Sequence, residues 1–113
     1  MKRGTIAEVQ LPPPGTIGGH EQGGRRPAII VQNPTNRLPT VLVVPLTSKL
    51  SAIRYPYTVR IPPSQQNGLR YESIALVFQI RAMDINRVIK ESGTLEDFLL
   101  SEVMERVNEM LNS

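Results

Sequence analysis

A pair of glycines runs into a pair of arginines at Gly23-Gly24-Arg25-Arg26, and Pro27 then opens the apolar run Ala28-Ile29-Ile30-Val31. Two glycines let backbone adopt positive φ and approach a ligand closely. Successive amides in such a turn can cradle an anion. A guanidinium stays charged and offers phosphate two parallel hydrogen bonds. A plain turn before a strand, with Arg25 facing water, is the competing reading. The spacing fits neither a P-loop nor a dinucleotide fingerprint. A later apolar run ends in two hydroxyls, Thr47-Ser48, which on their own read as an ordinary strand end. His20 lies in a proline- and glycine-rich stretch and is a candidate for proton transfer, with a solvated loop histidine as the alternative. Gln79 and Arg81 either line a groove or, for Arg81, pair with an acid. No cluster of Asp, Glu and His has metal-ligand spacing, so neither metal nor cofactor is expected.

The 113 residues suit one compact domain, residues 1–113, with a modest core. The absence of cysteine excludes a disulfide framework, a thiolate zinc site and a cysteine nucleophile, and fits a reducing cytoplasm. No apolar run reaches the roughly 20 residues that span a bilayer. The segment after Met1-Lys2-Arg3-Gly4 alternates and does not read as a signal peptide. Six of the 10 acids lie after position 90, so the chain before them is much more basic than the overall charge of +3. That asymmetry points to a polyanion partner such as nucleic acid; a solvated surface with an acidic terminal helix is the alternative.

These residues need elements to hold them. Arg3 to Leu11 alternates as a first strand. Pro12 to Gly24 is loop. Pro27 to Gln32 and Thr40 to Thr47 are buried strands, Pro45 suggesting an edge or a bulge in the second. Tyr57 to Ile61 and Ser73 to Phe78 follow, with Pro62-Pro63-Ser64 and Asn67-Gly68 as turns between them. Gln79 to Met83 continues or pairs beside the last of these, and Arg87 to Glu91 is one more short strand. From Leu99 to Leu111, apolar residues recur at spacings of three and four, the mark of an amphipathic helix. Thr94 with Asp97 resembles a capping box at its start. The pattern is mainly β with a C-terminal α-helix: a strongly bent antiparallel sheet or partial barrel with the helix packed on it.

The stretch Glu21-Gln22-Gly23-Gly24-Arg25-Arg26-Pro27 resembles the E-Q-G-G-x-R-P hallmark of MazF/PemK-type toxins. Arg3-Gly4, Val43-Val44-Pro45-Leu46-Thr47-Ser48, Ser73-Ile74-Ala75-Leu76 and Gln79-Ile80-Arg81 are similar to later family segments, in order. The resemblance implies a small SH3-like barrel of the CcdB/PemK-like toxin fold. It implies a homodimer whose groove takes single-stranded RNA and cuts it as a metal-independent endoribonuclease, leaving 2′,3′-cyclic phosphate and 5′-hydroxyl ends. Arg26 and Thr47 match the family's active pair, with Ser48 able to stand in for Thr47. Gly23, Gly24, Arg25, Ser48, Gln79 and Arg81 fall where RNA would be bound. The implied partner is an antitoxin whose acidic tail covers the same groove. The chain departs from the family pattern at Thr5-Ile6-Ala7, where an acid and an aromatic are usual. Two other readings of the same fold remain: a toxin that binds a protein such as DNA gyrase through its last helix without cutting RNA, and a non-catalytic binding module.

Overall fold

The computed structural model describes residues 1–11 and 24–113. His20, Gly23 and the expected loop from Pro12 lie outside them, apart from its last residue, Gly24. Seven strands are present: β1 (Thr5–Leu11), β2 (Gly24–Ile30), β3 (Thr40–Thr47), β4 (Thr58–Ile61), β5 (Ser73–Leu76), β6 (Arg81–Asp84) and β7 (Val88–Thr94). One helix, α1 (Asp97–Leu111), follows. All pairings are antiparallel, in the order β4-β5-β3-β2-β1-β7, with β6 also on β3.

Alternation along the strands divides the core between the two faces of the bent sheet. Ile6, Ile29, Val44, Leu46 and Ile61 join Leu99, Val103 and Val107 of α1 in one cluster. Val9, Leu11, Ala28, Ile30, Val41 and Val43 form the other.

Strand boundaries differ from the sequence reading for local reasons. β2 begins at Gly24, three residues before Pro27, because Gly24, Arg25 and Arg26 pair with Leu11, Gln10 and Val9. β1 starts at Thr5 because Gly4 has φ +98°. β4 starts at Thr58 because Tyr57 has φ +59°, outside strand geometry. Ser73 to Phe78 is a strand only to Leu76, where a 3-10 turn, Val77–Gln79, takes over. That turn moves the chain off β5, so β6 pairs with β3 instead. Pro45 lies in a central strand, not at an edge. β6 pairs with β3 as far as Val43, and β5 takes over at Leu46. The proline, with no N–H to give, falls in the gap between them.

The expected capping box is not formed. Thr94 belongs to β7, and the helix N-cap is Glu96, whose side chain makes no cap bond. That carboxylate is held elsewhere. Ser64 Oγ donates to Glu96 Oε2 at 2.6 Å and Asn67 Nδ2 donates to Glu96 Oε1 at 3.1 Å. Asn67 is fully buried. Its Nδ2 also donates to the Pro62 carbonyl, and its Oδ1 accepts from the Ser64 and Leu69 amides, all at 3.0 Å. The whole hydrogen-bonding capacity of the amide is used.

This turn also bridges the two ends of the sheet. β4 and β7, the ends of the ladder, do not pair. Instead the Thr94 amide donates to the Gln66 carbonyl at 3.0 Å. Gly68, at φ +71°, and Gly93 let the two backbones meet: a Cβ on Gly93 would press on the Gln66 carbonyl at 2.6 Å. The expected barrel is thus not closed: the ladder stays open between β4 and β7, and only the turn after β4 bridges the gap.

Gly93→Ala should destabilise the fold by about 2 kcal/mol or more, because backbone on both sides must shift; a urea midpoint unchanged from wild type would contradict this contact. A second expectation concerns acid. The Ser64 hydroxyl above all, with Asn67 adding to it, holds the Glu96 carboxyl below its usual range. A lowered folded value stabilises at pH above the ordinary glutamate value of about 4.3, and the contribution is lost as pH falls through the folded value. Glu96→Gln should cost about 1 kcal/mol at neutral pH. The gap should shrink towards pH 3 in urea titrations; a gap constant across that range counts against the assignment.

Candidate active site

An open groove of about 640 Å³ crosses the sheet beside this bridge. One wall carries Glu8 of β1, Arg26 and Pro27 of β2, and Lys90 of β7. The opposite wall carries Ser48, just past β3, and Arg70, Tyr71 and Ser73 around the start of β5. The β1–β7 register shifts on both sides of Ala7-Glu8. Such irregularities re-aim side chains, and here Glu8 looks into the groove.

Arg26 lies near the start of β2, half-buried, opposite Val9 of β1. The β2–β3 ladder pairs Ile30 with Val43, Ile29 with Val44 and Ala28 with Pro45. Carried two positions further, that register sets Arg26 opposite Thr47, beyond the last paired residues. The two residues thus sit at adjoining strand ends, where the sheet opens into the groove.

Thr47 is only 5% exposed and does not itself line the groove, although Leu46 and Ser48 on either side do. Its Oγ1 accepts from the Lys49 amide at 3.2 Å. That bond leaves the hydroxyl proton for a second partner. Ser48 is exposed.

Gly24 has φ +76°, and a Cβ there would meet nothing within 4 Å. The glycine is needed for its backbone angle, not for space. Arg25 is exposed and held by Glu8, its Nε donating to Oε1 at 2.7 Å. Lys90 Nζ approaches the other oxygen of Glu8 at 3.9 Å. Gln79 ends the 3-10 turn and Arg81 opens β6; neither lines this groove.

Glu8, Lys90, Arg70 and Tyr71 are groove residues that the sequence does not single out as a site. Glu8 carried a signal, being a charged residue one position before the buried Val9 of β1. Arg70-Tyr71, a cation and an aromatic soon after Asn67-Gly68, carried another. Three cations line the groove against two carboxylates, Glu8 and Glu91, so the lining is weakly positive. Among the described residues, no three of His, Cys, Asp and Glu come together as metal ligands. Nor, among those residues, is any helix long and apolar enough to cross a membrane.

Residues 2–111 match the family described as the PemK-like, MazF-like toxin of type II toxin-antitoxin systems. The chain belongs to that family. Endoribonuclease MazF of Staphylococcus saprophyticus is 34% identical over 110 residues, which cover 96% of this chain and 88% of the relative. A crystal structure of MazF from Deinococcus radiodurans aligns with a TM-score of 0.80 and 25% identity, covering 100% of this chain and 97% of that one. A structure of MazE-MazF from the same organism aligns at 0.74 with 25% identity, covering 99% and 96%.

Removing the Glu8 charge should free Arg25 and Lys90 and make the groove more positive. Glu8→Gln should therefore bind a single-stranded oligonucleotide about three- to ten-fold more tightly at low salt, with a steeper salt dependence. Equal affinity and slope, by fluorescence anisotropy, would show that the carboxylate does not govern this field.

Proposed function

We propose that this chain is the toxin of a toxin-antitoxin pair: a metal-independent endoribonuclease that cuts single-stranded RNA in the cytoplasm and is held inactive by a cognate antitoxin. The observation that carries the reading is the position of Arg26, a lining residue of a cation-bearing groove at a strand end adjoining Thr47-Ser48. Family membership and a relative named as an endoribonuclease supply the class of reaction. The MazE-MazF structure supplies the kind of partner. The groove is open, and a second copy facing it across a two-fold axis would enclose the RNA, so the working form is a homodimer.

The chemistry asks little of the protein. The 2′-hydroxyl of one nucleotide attacks the adjacent phosphorus. The bond from O2′ to phosphorus forms, the bond to O5′ breaks, and the products end in 2′,3′-cyclic phosphate and 5′-hydroxyl. Negative charge grows on the non-bridging oxygens as the phosphorus becomes five-coordinate. Arg26 donates two hydrogen bonds to those oxygens, where a fixed cation is worth most. Thr47 Oγ1, already accepting from the Lys49 amide, donates its proton to a phosphate oxygen or to O2′. It orients rather than deprotonates, because an unaided hydroxyl is a poor base. Ser48 stands ready at the groove surface for the same role. Gly24 and Arg25 guide the backbone of the strand, with Gln79 and Arg81 reached beyond the groove itself.

A long single-stranded RNA incubated with the protein in EDTA should give discrete cuts with 5′-hydroxyl ends. Arg26→Ala should slow cutting by about 10²–10³-fold. Comparing Thr47→Val with Ser48→Ala assigns the hydroxyl: the one that matters loses rate, and the other cuts as wild type. Intact RNA, or cutting unchanged by Arg26→Ala, would sink the reading. Growth arrest with RNA intact, relieved by changes in α1, would instead mark a toxin that binds a protein.

A further inference from the structure

We infer that Tyr71 is the base-stacking platform of the groove and a determinant of which RNA is cut; the inference rests on the ribonuclease reading for its ligand. The chain has five aromatic residues. Tyr55 is already engaged, its ring 5.4 Å from that of Phe78 and under the Arg54 guanidinium at 4.6 Å. Tyr57 packs against the core. Phe98 is exposed on α1, away from the groove. Only Tyr71 lines the groove, and it is 69% exposed. Among the described residues its side chain has no hydrogen-bond or ring partner.

The backbone beneath this ring is fixed. Asn67 Oδ1 holds the Leu69 amide at 3.0 Å, and the Gly68 amide donates to the Ser64 carbonyl at 3.0 Å. On the far side, Ser73 Oγ donates to the Tyr71 carbonyl at 3.1 Å, and Glu72 is paired with Arg60 at 3.3 Å. A rigidly mounted tyrosine has only two side-chain torsions to lose on binding. Its neighbours choose the partner. Arg70 and, across the groove, Arg26 and Lys90 offer cations to a phosphate backbone. Aromatic rings beside a basic track suit single-stranded nucleic acid, whose unpaired bases stack on them. Tyr71 supplies a stacking surface beside these cations.

The test is a double-mutant cycle on binding, with the dimeric protein and a 2′-deoxy oligonucleotide that cannot be cleaved. Its sequence is the mapped cut site or, if the protein cuts no RNA, a mixed-base strand of the same length. Wild type, Tyr71→Phe and Tyr71→Ala are each titrated with the intact strand and with strands carrying one abasic position in turn. Tyr71→Phe should bind within about two-fold of wild type, and Tyr71→Ala about ten-fold more weakly. One abasic position should weaken wild type by a similar factor and leave Tyr71→Ala almost unaffected. Additive losses at every position, or equal binding by Tyr71→Ala, would overturn the inference. So would a fall to monomer mass in Tyr71→Ala, which would make the ring a protein contact. Failure of RNA cleavage by the wild type would strike the ribonuclease reading and, with it, the role of the ring in choosing the cut site, while the binding cycle would still decide whether Tyr71 is a stacking platform.

Discussion

One buried amide holds the two ends of this sheet together. Asn67 bonds to the turn that contains it, to Pro62 at the end of β4 and to Glu96 at the head of α1. Its side chain is fully satisfied, so burying it carries no unpaired polar atom. Losing one partner would strand the others in a dry site, which costs more than a surface hydrogen bond returns. The same turn, which follows β4, abuts Gly93 of β7, so the two end strands are linked although they share no ladder.

The groove inherits its shape from that link. One wall belongs to β1, β2 and β7, and the other to the segment running from Gly68 into β5. Each wall is rigid for its own reason: paired strands on one side, a hydrogen-bonded turn on the other. Arg26 and Thr47 sit beyond the last pair of the β2–β3 ladder, each held on its other side, by Val9 of β1 and by Ile74 of β5. Pro45 works in the same region. Its missing N–H coincides with the change of β3's partner, so the strand continues towards Thr47 without leaving a donor orphaned.

Much of this was legible in the chain. β3 ran from Thr40 to Thr47 as its apolar run required, and α1 followed the three-and-four spacing from Leu99 to Leu111. Asn67-Gly68 announced a turn. The sequence could not say that this turn would pack on Gly93, twenty-five residues on, because nothing local encodes a contact made by the absence of two side chains. The capping box failed for the same reason: Thr94 was claimed by β7, where it pairs with Thr5, a partner visible only in three dimensions. At the site, Arg26 stood out by its neighbours Gly24 and Pro27. Lys90 did not, since it is an ordinary surface charge until strands from distant parts of the chain gather it with Glu8 and Arg70 into one groove.

That gathering bears on when such a protein can do harm. The walls are built from residues as far apart as Glu8 and Ser92, and the turn that sets their spacing is anchored on Glu96. A chain still emerging from the ribosome has Arg26, Thr47 and Tyr71 long before it has β7 or α1. It therefore carries every chemical group of the site with no cleft to hold them. Competence arrives only once β7 docks and Glu96 anchors the turn. A nuclease aimed at messages would thus be inert until that strand of its own chain has been made.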